Sequence, residues 1–204
     1  KFVIILVVLK VGASTSPDSD RIERIKAFGR INNLHRALDK GDSTAALKWA
    51  NELDDAYINC WYNLETQSVL NEGEWKESAD SNSLYHTTAL NLVLFYGQEE
   101  VAMILLNRGA NIFVADDNGN VPLHFAVEQG LVNVVSKIID IMRLMNVMDE
   151  VGMTQQEAIN LKNNFGKPPL HMAVCFQCQA VFQKLLDEGA DPMITDDEGN
   201  TALH

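Results

Sequence analysis

Between Arg21 and Leu38 the apolar residues fall at Ile22, Ile25, Phe28, Ile31, Leu34 and Leu38, the three-and-four spacing of one helical face. Ala45 to Leu53 follows as a second, shorter helix beyond Gly41. Farther along, Val101, Ile104 and Leu105 form another stripe, and Val134, Val135, Ile138 and Ile139 form its counterpart. Each of these later stripes is preceded by a short helix that opens on Ala or Pro, residues suited to a first turn where a missing amide donor costs nothing. That short helix stops near Gly97 or Gly130, where a left-handed cap is cheap for glycine. Gly109-Ala110 ends the second helix, and a polar segment ending in glycine reverses the chain. The predicted unit is therefore helix, turn, helix, reversing loop, with apolar surface on both flanks.

The unit recurs. Thr88-Ala-Leu-Asn91, Val121-Pro-Leu-His124, Pro168-Pro-Leu-His171 and Thr201-Ala-Leu-His204 are four copies of one phrase, separated by 33, 47 and 33 residues; the middle gap is the period plus an insertion of 14. Nine residues after the start of each of the first three copies stand Gly97, Gly130 and Gln177. Leu105-Leu106-Asn-Arg-Gly109-Ala110-Asn111 matches Leu185-Leu186-Asp-Glu-Gly189-Ala190-Asp191, and Asp116-Asp-Asn-Gly119-Asn matches Asp196-Asp-Glu-Gly199-Asn. A fixed period of this size means stacked supersecondary units. Over about residues 86–204 the pattern resembles the ankyrin repeat, D-x-x-G-x-T-P-L-H-x-A-A-x-x-G followed by V-x-x-L-L-x-x-G-A. The resemblance implies an all-α solenoid of stacked helix-turn-helix units with hairpin loops and a helical N-terminal cap.

The expected organisation has a signal-peptide-like segment at 1–13, a linker and leading helix at 14–31, and a degenerate capping repeat with an insertion loop at 32–85. Repeats follow at about 86–115, 116–160, 161–193 and, in part, 194–204. Leu34-His35 and Gly41 keep the repeat's spacing, and terminal repeats are atypical because one flank faces water. The insertion at about 60–84 holds Cys60, Trp61, Tyr62 and Trp75 among acidic residues, and reads as a loop pinned by its tryptophans or as a flap that contacts a partner. The second insertion, about 143–157, lengthens the preceding helix, and Thr154-Gln-Gln-Glu157 has the form of a capping box that starts a short extra helix. Ser83 and His86 depart from the repeat pattern, so the turn at 83–87 and this second insertion are expected to be softer than the 116–120 turn.

Lys1, the apolar run Phe2 to Leu9, Lys10 and then Val11-Gly12-Ala13 resemble a secretory signal cleaved after Ala13; a buried strand or helix is the alternative. Secretion is the expected location, with the cytoplasm as the alternative. A net charge of −12 disfavours a nucleic-acid partner and favours a basic or mixed basic and apolar protein surface. No apolar run is long enough to span a membrane. Three cysteines, Cys60, Cys175 and Cys178, are too few for a disulfide framework. Small fillers of the stack are their expected role, and a Cys175–Cys178 bridge or a bond to a cysteine beyond residue 204 is the alternative if the chain is secreted.

Chemistry is sparse. The resemblance gives His124, His171 and His204 a structural place, hydrogen-bonded to neighbouring loops, and none is paired with a nucleophile. The two Asp-Asp-x-Gly segments lack the further ligands of a calcium loop and read as turns. No catalytic residue, cofactor or metal site is expected, and the predicted activity is binding, by a monomer. In the ankyrin family the turn tips and outer positions of the first helix form a concave contact surface. Here those positions are Tyr85, Phe95, Tyr96, Asp117, Asn118, Asn120, Phe125, Glu128, Gln129, Asn164, Phe165, Lys167, Met172, Phe176, Asp197, Glu198 and Asn200. Six of the seventeen are aromatic against 7% of the chain, an enrichment that suits an interaction surface; for Phe125 and Met172 the alternative is that they lie partly under neighbouring helices. The favoured expectation is a secreted, non-catalytic interaction protein. The alternatives are the N-terminal arm of a larger toxin, channel-like or scaffold protein, because the sequence stops at Leu203-His204 inside a repeat, and an intracellular adaptor.

Overall fold

A computed structural model describes residues 17–63, 68–70, 86–148 and 152–203. The signal-like segment, Tyr85, Trp75, Ser83, His204 and most of the first insertion lie outside the described residues. Nine α-helices are described: α1 (Pro17–Asp39), α2 (Ser43–Glu52), α3 (Ala89–Phe95), α4 (Glu99–Asn107), α5 (Pro122–Glu128), α6 (Val132–Met148), α7 (Gln155–Ile159), α8 (Pro169–Cys175) and α9 (Gln179–Asp187). The chain divides into two compact units, one ending at Asn111 and the other beginning at Ile112.

In the first unit α1 packs on α2 and α3, and α4 packs on α2 and α3. The buried stripe of α1 is Ala27, Ile31, Leu34, Ala37 and Leu38. The expected face began too early, since Ile22 and Ile25 are 52% and 63% exposed. Asp42 caps α2, its Oδ1 accepting from Ala45 N at 2.9 Å, and Ala46 and Ala50 are the buried residues of that helix. Thr88 caps α3 in the same manner, accepting from Asn91 N at 3.3 Å.

Arg108, at the end of α4, ties the first unit together. Its guanidinium donates to Ala50 O at 2.6 Å, to Leu53 O and to Asp55 Oδ1, so it satisfies carbonyls that the end of α2 leaves without helical partners. Nearby, Asn59 Oδ1 accepts from Asn111 N at 2.7 Å and Asn59 Nδ2 donates to Gly109 O at 3.3 Å.

The first insertion contains strands. β1 (Trp61–Asn63) pairs antiparallel with both β2 (Ser68–Leu70) and β3 (His86–Thr87), in the order β2-β1-β3. Tyr62 faces Val69 and Thr87 in this register, and its ring is fully buried with its hydroxyl donating to Tyr57 O at 2.7 Å. The Trp61 side chain and Trp75 lie outside the described residues, and Tyr62 is an anchor of this segment. Burial pushes its phenol pKa well above the ordinary value.

In the second unit α5 packs on α6 and α8, α6 on α7 and α9, and α8 on α9. Val134, Val135, Ile138, Ile139 and Met142 of α6 are buried, each worth roughly 1.5–3 kcal/mol of removal from water. The second insertion does lengthen α6, and Thr154 and Glu157 complete the predicted capping box of α7, with Glu157 N to Thr154 Oγ1 at 3.2 Å and Thr154 N to Glu157 Oε2 at 2.8 Å. α7 then holds the end of α9, as Gln156 Nε2 donates to Gly189 O at 3.1 Å and Asn160 Oδ1 accepts from Asp191 N at 3.0 Å. Arg143 joins α6 to the residue after α9 through Glu188 at 2.6 Å.

The turns between paired helices show where the repeat is imperfect. Gly97 and Gly130 adopt φ of 66° and 67°, and Gln177 must adopt 56° at the same place, the one non-glycine residue with positive φ among the described residues. An L side chain there costs about 1–2 kcal/mol. Gln177→Gly is therefore expected to stabilise the protein by about 1 kcal/mol, read as a higher urea midpoint. An unchanged or lower midpoint would show that the turn carries no strain.

Candidate interaction surface

Three reversing turns in the second unit share one hydrogen-bond pattern. Asp116 Oδ1 accepts from Asn118 N at 3.0 Å and Asn120 N at 2.7 Å, while Gly119 N donates to Asp116 O at 2.9 Å. Asp196 repeats this with Glu198 N at 3.0 Å and Asn200 N at 2.9 Å. Asn163 does the same through its amide oxygen, accepting from Phe165 N and Lys167 N, both at 3.0 Å. The carboxylates of both Asp-Asp-x-Gly segments are thus engaged in forming turns. The third turn is expected from Asn164, Phe165 and Lys167, but Asn163, the residue that forms it, lies outside the expected set. Asn163-Asn-Phe-Gly166 has the same spacing as Asp116-Asp-Asn-Gly119, and Asn presents the same acceptor, so the signal was available.

The turns are also fastened to one another. Asn164 N donates to Asn118 O at 2.9 Å, Asn164 Nδ2 to Asp117 O at 3.0 Å and Asn163 Nδ2 to Asn120 Oδ1 at 2.9 Å. A side chain on Gly119 would place Cβ 2.8 Å from Asn164 N, and one on Gly166 would place it 2.6 Å from Asp197 N. These glycines are needed both for their left-handed φ, 76° and 69°, and for the close approach of the next turn.

Histidines form the inner half of the fastening. His124 is fully buried; its Nδ1 accepts from Val121 N at 3.2 Å, and its Nε2 lies 3.2 Å from Lys167 O. A carbonyl only accepts, so the proton sits on Nε2. His171 donates likewise to Asn200 O at 2.9 Å. Its Nδ1 is buried without a hydrogen-bond partner, because Pro168 offers no N–H where Val121 does. The structural role expected of these two histidines is observed. Val121 has no hydroxyl for His124, and its backbone amide serves instead.

Charge follows burial in this layer. Burial drives the pKa of His124 from 6.5 down to about 4, against the hydrogen bond that the ring donates to Lys167 O. Burial also raises Asp116 above the usual carboxylate range despite its two backbone donors, whereas the Asn200 N–H holds Asp196 below it. Glu128 is raised by burial and by the charge of Asp116.

The predicted contact residues separate into three groups. Asp117, Asn118, Asn164, Phe165, Asp197, Glu198 and Asn200 are exposed at the three tips, with Asn120 and Lys167 half-buried beside them. Phe176 and Gln129 are exposed, and Glu128 half-buried, at the turns between paired helices. In the first unit Phe95 is 37% exposed and meets Tyr96 edge to face at 5.4 Å. Tyr96 is held to α1, its hydroxyl 3.2 Å from His35 Nε2 and 3.5 Å from Asp39 Oδ1.

Phe125 and Met172 are corrections, because at 3% and 7% exposure they offer a partner almost no surface. Each follows the conserved-spacing histidine position directly, where α3 carries the buried Leu92, and so belongs to the core stripe. Cys175 is a correction of the opposite kind: it is exposed at the end of α8 and fills no gap in the stack. The three cysteines form no disulfide. Arg108 and Asn160, which organise helix ends, lay outside the expected set because single polar residues at those offsets carry no periodic signal.

With this geometry described, comparison with known proteins is direct. The family profile "Ankyrin repeats (3 copies)" matches residues 34–149, and "Ankyrin repeat" matches 165–197. The chain belongs to the ankyrin repeat family, and its repeats are protein-interaction units on an all-α scaffold. It is similar to human B-cell lymphoma 3 protein, 37% identical over 90 residues that cover 44% of this chain and 18% of that protein. Chicken nuclear factor NF-kappa-B p105 subunit is 30% identical over 105 residues, covering 52% of this chain and 10% of that one. Phosphocholine transferase AnkX of Legionella pneumophila is 32% identical over 117 residues, covering 57% and 11% respectively. The chain thus spans less than a fifth of the length of these relatives.

A histidine whose folded pKa lies below its unfolded one binds fewer protons when folded. Stability from His124 is therefore full above pH 6.5 and is withdrawn as the pH falls toward 4, by ~3 kcal/mol in all. Urea midpoints should drop more steeply through that window in the native chain than in His124→Gln, which is less stable at neutral pH but lacks the titration. Parallel curves for the two proteins would remove His124 from the account.

Proposed function

We propose that this chain is a non-catalytic protein-binding module whose contact surface in the second unit is the row of turn tips at 116–120, 163–167 and 196–200. The observation that supports this reading is Phe165, 57% exposed on the middle tip. Hydrogen bonds from Asn164 hold that tip on one side and the close approach of Gly166 to Asp197 holds it on the other. An aromatic ring on a pre-ordered backbone is an efficient anchor, because little freedom is lost when a partner covers it. Asp117, Asp197 and Glu198 on the flanking tips favour a partner segment that is basic beside its apolar contact. Binding as a monomer and secretion complete the proposal; the apolar run at 2–9 between Lys1 and Lys10, followed by Ala13, motivates the latter.

A second reading, an arm of a larger protein, is favoured by the small share that this chain covers of the proteins it matches, 4–18% of their length. The two readings are compatible at the level of the surface, which would serve either.

The test is capture from extracellular fluid on the immobilised chain, quantified by mass spectrometry. Phe165→Ala combined with Glu198→Lys is expected to lose the captured basic proteins by roughly tenfold or more while the thermal midpoint stays in place. Undiminished capture by the folded variant would contradict the proposed surface.

A further inference from the structure

Charge is unevenly placed in this chain. Residues 21–50 hold seven of the sixteen Lys and Arg but only three of the twenty-eight acidic residues, a local charge of +4 that leaves −16 on the rest. These residues supply most of α1 and nearly all of α2, so a protein that is acidic as a whole carries one basic element pair.

Where these two helices meet, Asn33, Arg36, Ala37, Lys40, Asp42, Ala45 and Trp49 line a depression of about 220 Å³. Arg36 and Lys40 are exposed, and neither side chain makes an ion pair or hydrogen bond with a described residue. The one carboxylate in the lining, Asp42, is engaged in capping α2 through Ala45 N. Ala37 and Ala45 keep the floor low, and Trp49 forms a half-buried apolar wall. Lys48 Nζ stands 5.0 Å from the centre of the Trp49 ring, which steadies the indole, and 4.0 Å from Glu52 Oε1.

We infer that this depression between α1 and α2 is a binding site for an acidic peptide segment, one carboxylate side chain meeting Arg36 and Lys40 and a neighbouring apolar side chain lying on Trp49. Arg36 supplies a planar donor fork suited to a carboxylate, and Lys40 a mobile point charge beside it. Asn33 adds an amide able to donate to and accept from a peptide backbone. The volume suits one or two side chains rather than an extended surface. Charge on the rest of the chain points the same way. A net −16 elsewhere repels a nucleic acid or an anionic bilayer, which present charge over distances longer than the roughly 8–10 Å screening length. A short acidic peptide experiences mainly the charges nearest the depression, Arg36, Lys40 and Lys48 against Asp39 and Asp42, a local +1. This site differs from the proposed turn-tip surface in place and in sign, and does not depend on it.

The probe is a short synthetic peptide of Asp and Glu around one Phe, titrated into the full chain and followed by the NMR signals of Trp49 Nε1–H and the α1 and α2 amides. Its counterpart with Asn and Gln in place of the acids, a single-stranded oligo-dT and phosphatidylserine vesicles are titrated in parallel. Saturable binding of the acidic peptide is expected, weakened by salt and weakened roughly tenfold or more by Arg36→Glu with Lys40→Glu. Both side chains are exposed, so the circular dichroism and thermal midpoint should be unchanged, and Phe165→Ala should bind the peptide as the native chain does. No binding, equal binding of the uncharged peptide, indifference to the charge reversal, or tighter binding of the oligonucleotide or vesicles would each overturn the assignment.

Discussion

The second unit depends on one constraint: its reversing turns must present backbone groups that a neighbouring turn or a buried imidazole can bond. Asp116, Asn163 and Asp196 shape the turns by accepting two backbone amides each, which fixes where the carbonyls of Asn118, Lys167 and Asn200 point. Those carbonyls then receive Asn164 N, His124 Nε2 and His171 Nε2. Because the polar groups of the turns are satisfied locally, the helices behind them can be apolar enough to stack without leaving buried donors unmet. Glycine at 119 and 166 follows from the same constraint, since any side chain would strike the adjacent turn.

The consequence for binding is a separation of roles along each repeat. Side chains that make the turn point inward or along the backbone, and the residues between them are released to face solvent. Asp117 and Asn118 of the first tip, Asn164 and Phe165 of the second, and Asp197 and Glu198 of the third occupy those intervening places. Variation there costs little stability, Asn164 excepted, because its Nδ2 bonds Asp117 O. A tip can therefore carry a large exposed ring such as Phe165, which the core-facing stripe could not tolerate in that orientation. The first unit contributes a different resource, a basic helix pair whose second member is tied at its end to α4 by Arg108. Opposite charges on separate elements let one chain address partners of opposite character.

Much of the fold was legible because it is written in period. The 33-residue spacing, the Thr or Pro that opens each short helix, and the glycines after them correspond to N-caps, helix starts and left-handed turns at the expected places. Thr154 and Glu157 were readable for the same reason, since a capping box is a local device. What was not legible depended on tertiary placement. Ile22 and Ile25 obey the helical spacing yet lie exposed, because periodicity does not say how far along a helix its neighbours extend. Phe125 and Met172 look like surface aromatic and apolar positions until their register with Leu92 is seen. The sheet around Tyr62 and the clamp of Arg108 each join segments whose proximity no single stretch of sequence declares.

The most direct measurement of the central claim is native-state hydrogen exchange on the turn amides of the second unit. If the interlocked turns hold this unit, the amides of Asn120, Asn164 and Lys167 exchange only through its cooperative unfolding, with the same opening free energy as the core amides of α6 and the same denaturant dependence. Exchange of these amides at the rate of an unprotected loop, while α6 stays protected, would contradict the account and show that helix packing alone carries the stack.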